Sequence, residues 1–266
     1  MNMKKILAIA AALALLACAR EPALHRQGKA IVFAASEPHY SLETKTAETT
    51  GLSSFRVVAT RGSSGSEVNC WSNVLFSRSG DVYYGGQLWP VDDPSYHFYA
   101  ANVTLTPGAT GARLTAANTT DVVCAYLPHP DYEQTKVLHF KHIFARIGGV
   151  KLLADTGYTV TDIQVRLQPR TGGVYDIAAG AGHTDETGWS QLVTGTDTVI
   201  GSALGENACN IYLVPGIYTA RVSWTWQKTG GAATAASRQT LLDLEAGKSS
   251  RLTFLLGEEM VYGVDL

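Results

Sequence analysis

The run V-L-H-F-K-H-I-F-A-R-I, residues 137–147, decides between a helical and a β fold for this chain. No other segment comes as close to a helical pattern. Even here, the even-numbered residues from Leu138 to Phe144 alternate with the odd-numbered ones at a period of two. Strands place successive side chains on opposite faces, whereas a helix has a period of 3.6 residues. We therefore predict one long strand over Val137–Leu153.

The rest of the chain has the same character. Short β-branched and aromatic runs are separated by Gly, Pro, Asn, Asp and Ser, which indicates about sixteen strands and an all-β fold. A single sandwich rarely needs so many strands, so we predict two β-sandwich domains in tandem. Pro and charged residues cluster at 128–135, and we place the boundary there, giving domains at 30–132 and 133–266.

The first residues have the organisation of an export signal. Lys4 and Lys5 precede an apolar run, Ile6–Leu16, that is too short to span a bilayer, which needs about 20 residues of helix. The run leads into Leu15-Leu16-Ala17-Cys18, which resembles the lipobox of bacterial lipoproteins. That resemblance implies a signal peptide at 1–17, diacylglycerol and a further acyl chain such as palmitate on Cys18, and a tether at 18–29. The alternative is an ordinary signal peptide in which the cysteine falls by chance.

Composition narrows the classes of partner. Charged residues make up 17% of the chain, against a typical ~25%, and the net charge is −2. No basic run is present, which excludes nucleic acid as an expected partner. After lipidation three cysteines remain, Cys70, Cys124 and Cys209, so at most one internal disulfide can form. Cys70–Cys124 is the candidate pair, and three free thiols are the alternative.

The sequence offers little to catalysis or metal binding. It has no G-x-S-x-G elbow, no H-E-x-x-H and no glycine-rich phosphate loop. His139 and His142 stand three residues apart, which on a strand directs them to opposite faces and away from a shared metal. The acidic doublets Asp92-Asp93 and Asp185-Glu186 lack the spacing of a calcium loop. We expect no enzymatic activity, no cofactor and no metal.

Aromatic residues are the richer signal for binding. Trp189 lies in a glycine-bearing loop, and Trp224 and Trp226 alternate along one predicted strand, which puts both on one face. That face is either core or an exposed platform for sugar rings. The three tryptophans are therefore the candidate ligand platform.

Several segments, in order along the chain, resemble the fimbrillin-like (Mfa-like) family of lipoproteins from anaerobic gut and oral bacteria. The likeness covers most of residues 30–256. The order of the matching segments along the chain, together with the lipobox at Cys18, is more specific to the family than any single segment. The matching segments are I-V-F-A-A at 31–35, S-F-R-V-V-A at 54–59, W-P-V-D-D-P-S-Y-H-F-Y-A at 89–100, D-V-V at 121–123, V-L-H-F-K-H-I-F-A-R-I at 137–147, Y-L-V-P-G-I-Y at 212–218 and L-E-A-G-K at 244–248.

The resemblance implies two transthyretin-like β-sandwich domains and a place in a surface fimbria, with other fimbrial subunits as partners. In such fimbriae an arginine-specific protease removes the first strand, and a terminal strand of the next subunit fills the groove. Here the loop between the first two strands has Lys45 and no arginine, so either a lysine-tolerant protease cuts there or the first strand and its lipid stay. Met260, Tyr262 and Val264 form the candidate donor strand, and the alternative is that they complete the second sandwich.

Two functional hypotheses follow. The first is a structural subunit, anchor or tip protein of a fimbria, located at the outer membrane through the lipid on Cys18 and mediating adhesion to a host glycan or protein. The second is an outer-membrane lipoprotein that does not polymerise and binds glycans through the aromatic platform.

Overall fold

Every regular element in the described part of the chain is a β-strand. The structure, a computed structural model, describes residues 30–36, 41–42, 51–62, 68–88, 96–108, 111–128 and 136–264. In chain order the strands are β1 (Ala30–Ser36), β2 (Ser41–Leu42), β3 (Ser54–Arg61), β4 (Val68–Ser79), β5 (Val82–Leu88), β6 (Tyr96–Ala101), β7 (Thr106–Gly108), β8 (Gly111–Ala117), β9 (Val123–Pro128), β10 (Lys136–His139), β11 (Lys141–His142), β12 (Ala145–Ala154), β13 (Tyr158–Leu167), β14 (Arg170–Asp176), β15 (Trp189–Thr194), β16 (Thr198–Gly201), β17 (Gly205–Leu213), β18 (Gly216–Lys228), β19 (Thr234–Leu244), β20 (Lys248–Leu256) and β21 (Met260–Val264). The predicted all-β class is confirmed, and the several sheets are consistent with β-sandwich domains.

An eight-stranded sheet forms the first half of the molecule, with the order β10-β1-β5-β4-β3-β6-β9-β11. Its first and last members, β10 and β11, are separated in the chain only by Phe140. The sheet therefore closes on itself, and we call it the rolled sheet. Its interior is filled by a buried cluster rich in aromatic rings, including Phe33, Phe55, Phe76 and Phe98.

The other face of the rolled sheet packs against a second sheet with the order β15-β14-β8-β7. Between the two lies a separate core that includes Tyr99, Leu114, Phe144 and Tyr175. Strands β7 and β8 precede the predicted domain boundary, and β14 and β15 follow it. Because β8 and β14 pair directly, from Arg113↔Asp176 to Ala117↔Gly172, we call this sheet the joining sheet. The division at 132 and 133 stays a prediction.

Two further sheets form the second half. One has the order β17-β12-β20-β2, with β21 also paired to β20, and the other has the order β16-β13-β18-β19. They enclose the largest buried cluster, to which Val165, Val222, Trp224 and Phe254 belong. Buried and exposed residues alternate along most of the thirteen-residue strand β18, which is why a strand can be predicted here from the sequence pattern.

The prediction of one long strand over Val137–Leu153 is wrong. The segment forms three strands: β10 and β11, at the two ends of the rolled sheet, and β12, which belongs to another sheet. Phe140 is buried inside the rolled sheet, whereas Ile143 and Phe144 are both buried in the core against the joining sheet. Since the chain passes here from one half of the molecule to the other, consecutive residues are buried and the period of two is lost.

The cysteines described by the structure are all free thiols. Cys124 is buried, and Cys70 and Cys209 are half-buried, so the Cys70–Cys124 disulfide does not form. No helix among the described residues is long and apolar enough to cross a membrane.

Candidate functional site

The first strand lies between two neighbours that come from distant parts of the chain. On one side β1 pairs antiparallel with β5, with Phe33 opposite Tyr83. On the other side it pairs parallel with β10, from Phe33 opposite Lys136 to Ser36 opposite His139. Because both of its edges are hydrogen-bonded, removal of β1 would leave two unpaired strand edges facing each other across a gap.

The inner face of β1 carries two fully buried apolar side chains, Ile31 and Phe33. The ring of Phe33 lies edge-on to the rings of Phe76 and Phe98, with centroids 5.0 Å and 5.2 Å away. It also meets Phe55 at 6.3 Å. Full burial of a side chain of this size stabilises a fold by about 1.5–3 kcal/mol. The first strand therefore acts as an apolar plug in the rolled sheet.

The outer face of β1 is different. Val32 and Ala34 are half-exposed, and their cross-strand neighbours Tyr84 and Val137 are exposed. The strand thus contributes to the core through the buried Ile31 and Phe33 and through the half-buried Ala35, which packs against the same cluster. A replacement strand would need apolar residues at alternate positions and would be less constrained at the positions between them.

The polypeptide on the far side of the loop after β1 is anchored independently. The hydroxyl of Tyr83 donates a hydrogen bond of 2.7 Å to the carbonyl oxygen of Leu52, and both residues are buried. From Ser54 onward β3 pairs with β4 and β6 and not with β1. The predicted maturation site Lys45 and the predicted lipidation site Cys18 lie outside the described residues.

The candidate donor strand forms β21. It pairs antiparallel with β20, from Leu256↔Met260 to Leu252↔Val264. The ring of Tyr262 is tilted against that of Phe254, with 5.2 Å between centroids, and Met260 packs against the same core, whereas Val261 is exposed. In this structure the strand completes its own sheet, so it would have to leave β20 before it could serve a neighbour.

The three predicted platform tryptophans are not brought together. Trp224 is 2% exposed, and its Nε1 donates a 2.7 Å hydrogen bond to the carbonyl oxygen of Gly257. A ring buried this far cannot stack on a sugar, so the platform prediction for Trp224 is wrong. Trp224 and Trp226 lie on the same face of β18, and the alternating burial along this strand shows that this face is turned toward the core.

The other two rings are half-buried. Trp226 packs edge-on to Tyr158 at 5.6 Å. Trp189 is tilted against Phe144 and Tyr175 at 5.2 Å and 5.1 Å, and its buried Nε1 has no acceptor among the described residues. Both rings are engaged with neighbouring aromatic rings, and neither lies beside the other.

Charged groups near the crossing between the two halves support structure. The ammonium group of Lys141 donates hydrogen bonds to the carbonyl oxygens of Gly180 and, at 3.1 Å, of His183. Burial lowers the pKa of Lys141, and the nearby Cys124 and Asp185 oppose that shift. The amine thus fastens the turn after Asp176 to the rolled sheet.

His139 and His142 lie on different strands, His139 on β10 and His142 on β11. His139 lies near the hydroxyl of Ser36, with 3.2 Å between its Nδ1 and the Ser36 Oγ. His142 is buried, with 2.9 Å between its Nδ1 and the Asp121 Oδ1. Within the ranges that the structure describes, no three His, Cys, Asp or Glu side chains gather at a potential metal site.

Sequence reasoning missed the parallel partner of the first strand. The residues that surround Phe33 come from β3, β4 and β6, and its parallel neighbour β10 begins 103 positions later at Lys136. The only available signal was the repeated phenylalanine in alternating runs, at 33, 55, 76 and 98. Such a signal indicates shared burial without indicating which strands pair.

No protein-family model matches the chain, and no curated protein matches it in sequence. A fimbrial protein from Bacteroides vulgatus is similar in structure, with 12% identity, a TM-score of 0.52 and coverage of 88% of this chain and 98% of that chain. A protein named for cell adhesion from Bacteroides ovatus has 14% identity, a TM-score of 0.54 and coverage of 91% and 97%. Another, from Parabacteroides distasonis, has 10% identity, a TM-score of 0.52 and coverage of 88% and 90%. Identities this low show the fold alone, and the fold that this chain shares is that of proteins named for fimbriae and cell adhesion.

Proposed function

We propose that this chain is a structural subunit or an accessory (anchor or tip) protein of a cell-surface fimbria that mediates adhesion. In this proposal it is assembled by donor-strand β-augmentation and has no enzymatic activity. The observation that carries the proposal is the position of β1, whose Ile31 and Phe33 plug a sheet that is otherwise complete. The shared fold with a fimbrial protein and with proteins named for cell adhesion supports it.

The proposed assembly follows from the chemistry of the groove. Loss of β1 would uncover the aromatic interior and leave β5 and β10 with unpaired edges. An apolar groove flanked by unpaired backbone groups binds an extended strand strongly. The neighbour's β21 would supply it, with Met260, Tyr262 and Val264 as the alternate residues that enter.

The proposed location rests on the amino terminus. A lipid on Cys18 would hold the chain at the outer membrane, because two or more acyl chains anchor a protein stably. Cleavage at Lys45 would break the covalent link between the body and that lipid, and the groove would open once β1 and β2 leave their partner strands. Without cleavage, the lipid and the plug stay, which suits an anchor or a tip protein better than a stalk subunit.

The alternative of a glycan binder that uses a tryptophan platform receives no support from the geometry. Trp224 is buried in the core, and Trp189 and Trp226 are each packed on other rings. Adhesion to a glycan, if it occurs, would have to use another surface.

The test is a cleavage and polymerisation assay on the chain from Ala19 to the end, made without lipid. Trypsin is added under native conditions, the new amino terminus is determined by mass spectrometry, and unboiled samples are run on a gel. We expect a cut after Lys45 and a heat-sensitive ladder. Lys45→Ala should resist that cut and stay monomeric.

A matched pair of variants tests the donor strand. Tyr262→Asp should stop the ladder, since its side chain would have to enter the groove, and Val261→Asp should not, since that residue points outward. Circular dichroism before cleavage establishes that both variants are folded. A cut chain that stays monomeric, or an equal loss in both variants, would overturn the donor-strand proposal.

A further inference from the structure

A cavity of about 460 Å³ opens where the start of β18 passes the paired ends of β14 and β15. Arg170, at the start of β14, lies opposite Thr194 at the end of β15. The outward residues Ile217, Thr219 and Arg221 of β18 line the opposite side. Cavities of this volume are in the range that holds small organic ligands. We call this cavity the arginine pocket.

Arg170 is held in a fixed position within the arginine pocket. Its guanidinium carbon lies 4.9 Å from the centre of the Tyr218 ring, and its Nη2 donates to the carbonyl oxygen of Pro215 at 3.3 Å. Its Nη1 forms an ion pair with Glu186. Burial disfavours the charge of Arg170, but hydrogen bonds to Tyr218 and Glu186 outweigh burial and raise its pKa. The group is therefore a permanent, oriented cation.

Arg221 is the second cation. Its Nη2 lies 2.8 Å from Oδ1 of Asp197. The other oxygen of Asp197, Oδ2, forms a second ion pair with Nη1 of Arg166 at 3.4 Å. With Arg170 and Glu186, three guanidinium groups thus face two carboxylates, and a third carboxylate, the exposed Asp243 of β19, lies opposite Ile217 at the rim. A guanidinium has five N–H donors, and the single contact to Asp197 leaves Arg221 with donors to offer a ligand.

The remaining wall of the arginine pocket is neutral. Thr194, Thr219 and Gln168 offer two hydroxyl groups and one amide, which donate and accept hydrogen bonds. Ile217 is 65% exposed and adds an apolar surface at the rim. Forked cations suit a carboxylate, hydroxyl and amide groups suit a polyol, and an apolar rim suits the carbon face of a sugar ring.

We propose that the arginine pocket binds a carboxylated monosaccharide, the acidic unit of a glycan. The ligand carboxylate would be bound by Arg221 and by Arg170, and the sugar hydroxyls would bond to Thr194, Thr219 and Gln168. This inference deepens the adhesive part of the proposed function and rests on it, but it needs neither cleavage nor polymerisation.

Glu186 gives the proposal a distinctive consequence. It is the exposed partner of Arg170, with 58% of its side chain accessible, so a ligand carboxylate would compete with it for the same guanidinium group. Glu186→Gln should therefore strengthen binding of an acidic sugar several-fold. Arg221→Gln should weaken it about tenfold or more, as expected for loss of a charge-assisted hydrogen bond.

The test is isothermal titration of the uncut chain from Ala19 with N-acetylneuraminic acid and with glucuronic acid, each up to ~10 mM, tenfold above a dissociation constant of ~1 mM. Galactose, glucose and inorganic sulfate are the comparison probes. Arg113→Gln is the matched control, because Arg113 is also exposed and paired with a carboxylate, Asp176, but lies outside the pocket.

We expect an acidic sugar to bind, Glu186→Gln to bind it more tightly, Arg221→Gln to bind it more weakly by about tenfold or more, and Arg113→Gln to match the unchanged chain. Absence of binding, equal binding of neutral sugars or of sulfate, or equal loss in the two arginine variants would overturn the proposal. The ladder assay separates the two ideas. Arg221→Gln should still polymerise after cleavage, and a chain that fails to polymerise should still bind the sugar.

Discussion

The ring of Phe33 meets the ring of Phe98 edge-on, with 5.2 Å between centroids, although the two residues stand on strands that do not pair with each other. Phe33 projects from β1 across the interior of the rolled sheet to reach β6. An edge-to-face pair of this kind adds about 0.5–1.5 kcal/mol beyond the burial of area. The first strand is thus bound through its side chains as well as through its two edges.

Replacement of Phe33 tests how much of the stability depends on the plug. Phe33→Ala should lower the free energy of unfolding by about 3–5 kcal/mol, because it leaves a cavity among three other phenylalanine rings. Urea unfolding followed by fluorescence measures the change. Val32→Ala, on the half-exposed face of the same strand, is the control and should lower the free energy of unfolding clearly less. Equal losses would mean that the inner face of β1 is no better packed than its outer face.

Trp224 should behave as a core residue. Trp224→Phe keeps an apolar ring but leaves the buried carbonyl oxygen of Gly257 without its donor, so stability should fall by about 1–3 kcal/mol. Thermal unfolding measures the loss, with the half-buried Trp226→Phe as the milder control. An unchanged melting temperature in Trp224→Phe would contradict the packing described for β18.

The buried thiols should make the fold sensitive to alkali. Burial raises the pKa of Cys124 from 9.0 to about 12, with Lys141 opposing the shift, and burial raises the pKa of Cys209 to about 11. In the unfolded chain these thiols lose their protons near pH 9, while the folded chain keeps them, so the unfolded state binds fewer protons. Stability should therefore be complete below pH 9 and fall as pH rises toward 12.

The measurement is the free energy of unfolding at about pH 8 and about pH 10 under reducing conditions. Cys124→Ala should flatten the decrease between the two values, whatever its effect at the lower pH. The same decrease in the variant and in the unchanged chain would show that Cys124 does not contribute.

Lys141 should control the order of the turn that follows β14. Lys141→Met removes the donor to the carbonyl oxygens of Gly180 and His183, so the amides of residues 178–188 should exchange hydrogen faster. Hydrogen exchange read by mass spectrometry gives the comparison. Lys151→Met, at a half-buried lysine of β12, should leave that exchange unchanged. If the amides of residues 178–188 exchange at the same rate in both variants, the hydrogen bonds from Lys141 do not hold the turn in place.

The sequence predicted the class of fold and the character of most strands, because inward and outward alternation is a local property. Along β18 every second residue from Tyr218 to Trp224 is buried, as its pattern indicates. The same reasoning failed at Phe140–Phe144, where the chain changes sheets and both faces of the backbone are covered. Alternation in a sequence records one buried face, so it cannot indicate a crossing.

The candidate site was predicted in part, for a related reason. The resemblance implied a first strand at 31–35, and β1 spans Ala30–Ser36 there. Its partners, and the cavity between Arg170 and Arg221, depend on contacts between residues far apart in the chain. The choice between core and platform for Trp224 depended on which face of β18 meets the opposing sheet, and one strand considered alone does not contain that information.

The pairing of β1 with β10 also determines when the molecule can fold. The first strand has no parallel partner until residues 136–139 have been made, and β2 pairs with residues 248 and 249, nearly at the other end of the chain. Contacts between residues so far apart in sequence slow folding, because the chain loses conformational entropy on closing the loop before the stabilising contacts form. A chain exported from its amino terminus would therefore emerge with Ile31 and Phe33 exposed, and about half of its length would have to follow before β10 could pair with β1. During that interval the first strand is as available to another molecule as it is to its own sheet.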